Sequence, residues 1–395
     1  MELFFNFLFS ILEHFSQDGY KVLLCISFVF LVYKYWYLFI KEKILLLSLI
    51  FVLYGFLLSL FCSDTESAVK GMLDLSYGWV LALFLGHTLI NENNKIKVLN
   101  VTFFVFAFLV FIGLFSYFGF LPEKYWGLRF ADENQLRIFT HRVPFAARCE
   151  LMLMVSITLL LFKKNLNKRY TLFLSIVTFF FLLGIILSGS RIYYGVTGIM
   201  LFLILGFYYY KTRALKICLT ITAIFILSIF IAYITNPELS RRIHKTSITK
   251  DISISSRVNM HKYGISVFKQ HPIFGVGPAQ ATLMEEFSKV KMDKPHWHLH
   301  SIYLELLANF GIVGLLLFLS IVFSILISLI TEYLKDGSAL KLAMIFAWFA
   351  VLIGDYADAV LENAFISSLY FWLTGIALAK PKEESSTIKK ETLSI

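Results

Sequence analysis

The chain has 395 residues, of which 58% are apolar and only 16% charged, with a mean hydropathy of +0.75. Soluble domains average about a quarter charged residues, so a soluble enzyme is excluded at the outset, and four Cys in a chain of this length form no disulfide scaffold. The net charge of +10 is first a matter of topology, because cytoplasmic loops of membrane proteins collect Lys and Arg.

The N-terminal stretch MELFFNFLFSILEHF has no basic n-region and no small-residue cleavage site, so no cleavable leader is expected. Apolar runs follow near 3–15, 21–40, 44–61, 75–90, 98–120, 149–162, 170–187, 192–210, 215–235, 301–331, 340–354 and 364–379. They are continuous rather than alternating, which predicts helices and excludes barrel strands. At roughly 20 residues per crossing, the expectation is an all-α polytopic membrane protein with about 12 transmembrane helices, the run at 3–15 being short and the second interrupted by Lys34. The chain divides accordingly into helices 1–9 over 1–235 with a smaller outward loop at 121–148, a large outward loop at 236–300, helices 10–12 over 301–379, and a polar tail at 380–395.

Alternate connections are compact and basic: KEK, NENNKIK, KKNLNKR, KTRALK, EYLKDGSALK and the tail. Together they hold 17 basic and 7 acidic residues and are read as cytoplasmic, whereas the outward set holds 17 and 15. The basic excess therefore reports orientation, and no nucleic-acid partner is expected. Loops as long as 121–148 and 236–300 are usually functional. A small helical cap is expected from ISSRVNMHKYGISVFKQH at 254–271, followed by a structured turn in HPIFGVGPAQ.

Three histidines, His296, His298 and His300, stand in PHWHLHS just before a long apolar run. A His at a helix N-terminus stays neutral because the dipole disfavours added positive charge, and a neutral His serves as a general base. Two other readings apply to the same residues: interfacial anchors for the helix end, or a metal site, since alternate His on an extended segment share a face. Arg191, in a very short turn between two apolar runs, either snorkels to headgroups or holds a phosphate or diphosphate beside Gly189 and Ser190. Arg257, Arg241 and Arg242 occupy the large loop, and Arg129, Arg137, Arg142 and Arg148 the smaller one. Each alone reads as a solvated cation; collected on one side with His300, they suggest chemistry on a lipid-linked phosphate. Glu305 and the group Asp355, Asp358 and Glu362 either orient a His, hold a sugar hydroxyl, or line an ion path. Cys62 and Cys149 lie near outer helix ends and leave pairing open.

HPIFGVGPAQ at 271–280 and HLHSIYLELLANFGIVGLLLFL at 298–319 together resemble the paired signature of the O-antigen ligase and polymerase superfamily. That signature is Pro-hydrophobic-Phe-Gly-hydrophobic-Gly, then His-Asn, Tyr/Leu-Glu and Gly-x-x-Gly entering a membrane helix. The specific part runs from SGSR at 188–191 to GIVG at 311–314, and it departs from the pattern at Ser301, where the family often has Asn. The resemblance implies a GT-C-like glycosyltransferase architecture in a bacterial inner membrane with a site facing the periplasm. It implies a donor glycan on undecaprenyl diphosphate and, as acceptor, a sugar hydroxyl of lipid A–core oligosaccharide, as in lipopolysaccharide biosynthesis. The implied reaction is an inverting displacement with no cofactor and no metal. By the same resemblance His300 is the base, Arg191 and Arg257 hold the diphosphate, and Arg142, Arg129 and His298 are further binding candidates. A polymerase would use the same donor with a second lipid-linked glycan as acceptor; a transporter is the alternative from another class.

Overall fold

The computed structural model describes residues 1–380 apart from 16–17, 123, 126–127, 130, 133–134, 139–140, 236–239, 241–251 and 293–297. The calls at His296, Arg241 and Arg242 and on the tail beyond 380 lie outside the described residues. The architecture is all-α and largely membrane-spanning, with two two-residue hairpins as its only described strands. The helices in order are α1 (Glu2–Phe15), α2 (Gly19–Tyr35), α3 (Leu38–Lys41), α4 (Lys43–Ser59), α5 (Thr65–Leu75), α6 (Ala82–His87) and α7 (Glu92–Tyr117). A π-helical turn, Ser76–Leu81, joins α5 to α6. The hairpins β1–β2 (Lys124–Tyr125 with Leu128–Arg129) and β3–β4 (Ala131–Asp132 with Gln135–Leu136) come next. Then follow α8 (Arg142–Phe162), α9 (Lys168–Leu187), α10 (Arg191–Thr212), α11 (Leu215–Thr235), α12 (Ile252–Gln270), α13 (Glu285–Ser288), α14 (Ile302–Asp336), α15 (Ala339–Gly354) and α16 (Ala364–Leu378).

The expected number of crossings is corrected by this structure. Among the described residues, seven helices are long and apolar enough to span a bilayer, not about 12: Thr65–His87, α7, α8, α9, α10, α11 and α14. The reason is length. Five further helices, α1, α2, α4, α15 and α16, have 14, 17, 17, 16 and 15 residues. At 1.5 Å per residue these reach only about 21–26 Å, short of the roughly 30 Å hydrocarbon core. Burial explains why their sequences nonetheless look like spans. Every residue of α16 is buried, as are twelve of the sixteen in α15, and a helix apolar on all sides suits a protein interior as well as lipid.

The core forms around α16, which packs on α6, while α15 packs on α8 and α8 on α9. Gly86 and Gly375 let α6 and α16 approach backbone to backbone: a Cβ on either would strike the partner's main chain. The buried tryptophans of this core find acceptors for their N–H groups. Trp372 donates to Asn6 Oδ1 at 2.8 Å, Trp348 to Thr374 Oγ1 at 2.8 Å and Trp79 to the Leu361 carbonyl at 3.2 Å. All four cysteines are free; Cys149 is buried against Gly184 and Cys62 stands beside Gly277, so the open question of their pairing is answered.

The long helix α14 is two helices. Gly311 has φ 64° and ψ −164° inside it, so a short outer half, 302–310, is set off from a lower half, 312–336. The break exposes backbone groups that the loop at 272–277 satisfies. Val276 N–H donates to Ala308 O at 3.0 Å and Gly277 N–H to Asn309 O at 2.8 Å; in return, Ile312 N–H donates to Pro272 O at 2.9 Å and Val313 N–H to Ile273 O at 3.3 Å. Backbones this close leave no room for side chains. A Cβ on Gly275 would strike Asn309 and Phe310, and one on Gly311 would strike Ile273 and Phe274. Both glycines also have positive φ, which only glycine adopts without cost. The two halves of the sequence signature are thus the two sides of one backbone clasp.

Candidate functional site

The clasp fixes the outer half of α14, and with it the residue that precedes the helix. Ser301 is the N-cap, in extended conformation and without a side-chain capping bond. His300, one residue earlier, has φ 57°, a left-handed conformation that costs a non-glycine residue about 1–3 kcal/mol and persists only when its surroundings hold it. Three contacts do so. Glu305 accepts the Leu299 N–H, the Asp355 carbonyl accepts the Ile302 N–H at 3.1 Å, and His261 Nε2 donates to the His300 carbonyl at 3.3 Å. Glu305 is itself held by Asn309 Nδ2 at 3.0 Å, and Asn309 Oδ1 accepts from Ala281 N–H at 2.9 Å. The buried Glu305 is therefore a brace for the 299–300 backbone.

The imidazole of His300 is buried and faces the connection between α15 and α16. Its Nδ1 stands 3.3 Å from Asp358 Oδ1; His298 Nε2 stands 3.4 Å from the same oxygen and 3.1 Å from His300 Nδ1. When both rings donate N–H to the carboxylate, which only accepts, the 3.1 Å contact between the two rings is not itself a hydrogen bond. That arrangement puts the lone pair of His300 on Nε2. Asp358 Oδ2 in turn lies 3.6 Å from a terminal nitrogen of Arg257, on the first turns of α12. Asp355 shapes the connection by accepting the Val360 and Leu361 N–H groups at 2.6 and 3.3 Å.

Burial sets the protonation of this group. It lowers His300 from an ordinary 6.5 to about 4, with the Asp358 hydrogen bond and charge opposing and His298 and Arg257 assisting. His300 is therefore neutral at pH 7. Burial also pulls on His298, but its bond to Asp358 and that residue's charge more than offset this, leaving it raised. Burial would raise Asp358; the bonds from both histidines hold it well below the carboxylate range. Burial lowers His261 as well.

The other candidates are placed unequally. Arg191 is the first residue of α10, after Gly189 with φ 68° and the buried Ser190. Two residues on, the ring of Tyr193 lies against Gly354, next to Asp355, whose carbonyl holds Ile302. The start of α10 thus abuts the His300 site. Arg142 begins α8 and reaches Gln135 Oε1 at 3.4 Å, while Gln135 in turn lies against Gly189. Arg129 stands on β2 opposite Lys124; the role expected of its side chain lies outside what the structure describes.

Arg148 is removed from the outward set. It is fully buried in the bundle, paired with Glu13 at 2.8 Å and with His14 Nδ1 at 2.6 Å, its guanidinium over Phe365 at 4.1 Å. Asp358 belongs to the acidic group expected to orient a His, hold a sugar hydroxyl or line an ion path, whereas His261 and Asn309 are not expected from the sequence. Nothing in the local sequence signals these two, whose roles depend on the clasp.

Residues 176–319 match the family model described as O-antigen ligase. Over that stretch the chain is similar to the O-antigen ligase family. The match takes in Arg191, Arg257, the clasp loop, His298, His300 and both halves of the α14 break, and ends before Asp358. No curated protein matches the chain. The spanning helices make this a multi-pass membrane protein, and its similarity to the O-antigen ligase family is confined to residues 176–319.

His298, His300 and Asp358 also present one ligand atom each within 4.8 Å of one another, a set able to hold a divalent ion. The same three atoms are fully used by the two hydrogen bonds to Asp358, with Arg257 already beside that carboxylate. The set is thus complete as a hydrogen-bonded group, and the cation it could take competes with Arg257 for one negative charge.

Proposed function

We propose that this protein is an O-antigen ligase in the strict sense. It transfers a glycan from undecaprenyl diphosphate to a sugar hydroxyl of lipid A–core oligosaccharide at the periplasmic face of the inner membrane. His300 Nε2 takes the proton of the acceptor hydroxyl as its oxygen attacks the anomeric carbon. The bond from that carbon to the phosphate oxygen breaks, its electron pair leaves with the diphosphate, and the anomeric configuration inverts. Asp358 keeps the proton of His300 on Nδ1 and steadies the imidazolium as it forms, the role a buried carboxylate plays behind any catalytic His. Arg257 and Arg191 offset the charge on the departing diphosphate, and a guanidinium fork matches two phosphate oxygens where an ammonium would not. His298 and Arg142 assist in binding the substrate, and no metal takes part. The observation that carries this reading is a neutral, buried His300 held against Asp358 with Arg257 on the same carboxylate, His300 and Arg257 both lying in the stretch that matches the family model.

The decisive experiment is reconstitution with purified lipid-linked donor and lipid A–core acceptor, with and without chelator. Glycan on lipid A, unaffected by chelation, is the expected result. Lengthened donor glycan instead assigns a polymerase. Loss of activity on chelation, restored by a divalent ion, gives the His298–His300–Asp358 set to a metal. No product of either kind overturns the enzymatic reading.

A further inference from the structure

The clasp loop has a second face that the chemistry above does not use. Its tip presents Ile273 and Phe274, both 55% exposed, immediately beyond Pro272. More than half of each of these large apolar side chains is left uncovered by the protein. Their position in depth is fixed by backbone bonds: Pro272 and Ile273 accept from Ile312 and Val313, the first residues of the lower, membrane-crossing half of α14. That half carries an exposed apolar stripe, Ile312, Leu316, Phe323 and Ile327, at helical spacing. Ile273 and Phe274 stand at its upper end, continuous with a surface that already faces lipid. The helix leading into the tip, α12, exposes Ile265 between Lys262 and Lys269. A basic edge flanking apolar residues is the pattern of helices that lie in a membrane interface, where aromatic rings also collect.

We propose that the Ile273–Phe274 tip is a membrane anchor, inserted among the acyl chains just below the headgroups, with Lys262 and Lys269 at the level of the lipid phosphates. The occupant of this surface is bilayer lipid. Because the same loop clasps the break in α14 beneath His300, the anchor fixes the height of the site above the bilayer. The inference rests on the membrane setting and the clasp, and it stands whatever the site's substrate.

The test uses the full chain with Cys25 and Cys62, the two cysteines that are not buried, replaced by Ser. An environment-sensitive fluorophore is attached to Phe274→Cys and, separately, to Lys289→Cys, an exposed position just after α13. Both proteins are reconstituted in phosphatidylethanolamine–phosphatidylglycerol vesicles. The expected result is blue-shifted emission at 274 relative to 289, quenching by lipids carrying a spin label high on the acyl chain, and shielding from aqueous iodide. Iodide quenching at 274 equal to that at 289 overturns the proposal. So does shielding from iodide without quenching by the labelled lipids, which would place protein against the tip. Ile273→Cys repeats the measurement should Phe274→Cys disturb the fold.

Discussion

The molecule contains two clusters built from the same ingredients, and they differ in everything that decides a role. In the interior, Arg148, Glu13 and His14 are all fully buried, sealed by Phe106 and Phe365. At the outer half of α14, Arg257, Asp358, His298 and His300 keep side-chain exposures of 23, 10, 36 and 10%. The interior set leaves Glu13 Oε1, His14 Nε2 and two nitrogens of Arg148 without a protein partner, yet no substrate reaches them. The outer set shares one carboxylate among three cationic or neutral donors, and Arg257 and His298 in it are partly exposed. An Arg, a His and an acid are thus a candidate site only where the fold leaves an approach. In the interior they join α1 to α8.

Substitutions should separate the two clusters by what they change. His300→Ala is expected to lower turnover by about 10²–10⁴-fold, the usual contribution of a general base, with the yield and unfolding temperature of the purified protein unchanged. Normal attachment of glycan in this variant would dismiss His300 as the base. Arg148→Ala is expected to do the reverse. Removing one partner of a buried ion pair costs about 3–5 kcal/mol because the other is left uncompensated, so folded protein should fall steeply while the remainder turns over normally. The double replacement Arg148→Met with Glu13→Leu should recover most of that loss in thermal unfolding of the detergent-solubilised protein. A double variant as unstable as the single one would mean that the interior cluster does more than join helices.

This contrast also shows what the sequence could and could not convey. Arg148 and Arg142 lie six residues apart and read alike; only packing sends one into the core, against Glu13 from the first helix, more than a hundred residues away. The runs at 340–354 and 364–379 read as membrane spans because hydropathy registers exclusion from water without saying whether lipid or protein excludes it. Their length was the available clue, and α15 and α16 are indeed too short. Legible in sequence were the spacing of PIFGVG and GIVG, the His triplet before a helix, and the helical stretch at 254–271. Their meaning was not: the glycines serve one backbone clasp, which appears only when residues 272–277 are laid against 308–313. The partner of His300 comes from a connection 58 residues further on, where the acidic cluster can be read as orienting a His but nothing local selects Asp358 within it.

The clasp itself gives a smaller effect. Gly275→Ala and Gly311→Ala each place a Cβ against the opposing backbone at a positive φ, a strain of about 1–3 kcal/mol before any separation of the chains. Faster hydrogen exchange is expected at the amides of Val276, Gly277, Ile312 and Val313, along with a drop in turnover, since His300 is carried on the clasped half-helix. Unchanged exchange at these four amides would mean that the clasp does not hold the break closed.

The smallest expected effect is also the most specific to the outer cluster. The folded His300 takes its proton near pH 4, whereas an ordinary His takes one near 6.5, so the unfolded chain binds more protons between those values. Stability contributed by this residue is therefore complete above about pH 6.5 and is lost as pH falls toward 4. Activity should fall through the same lower limit as the base is protonated. Asp358 opposes the lowering of His300, so Asp358→Asn removes that support and should move the acid limb of the pH–rate profile to still lower pH. It also removes the acceptor that fixes the Nδ1–H tautomer, so the plateau rate should fall by about 10²-fold or more. A merely structural Asp358 would lower the amount of folded protein and leave the acid limb of the survivors where it was. An acid limb that moves upward would show that something other than His300 titrates in turnover.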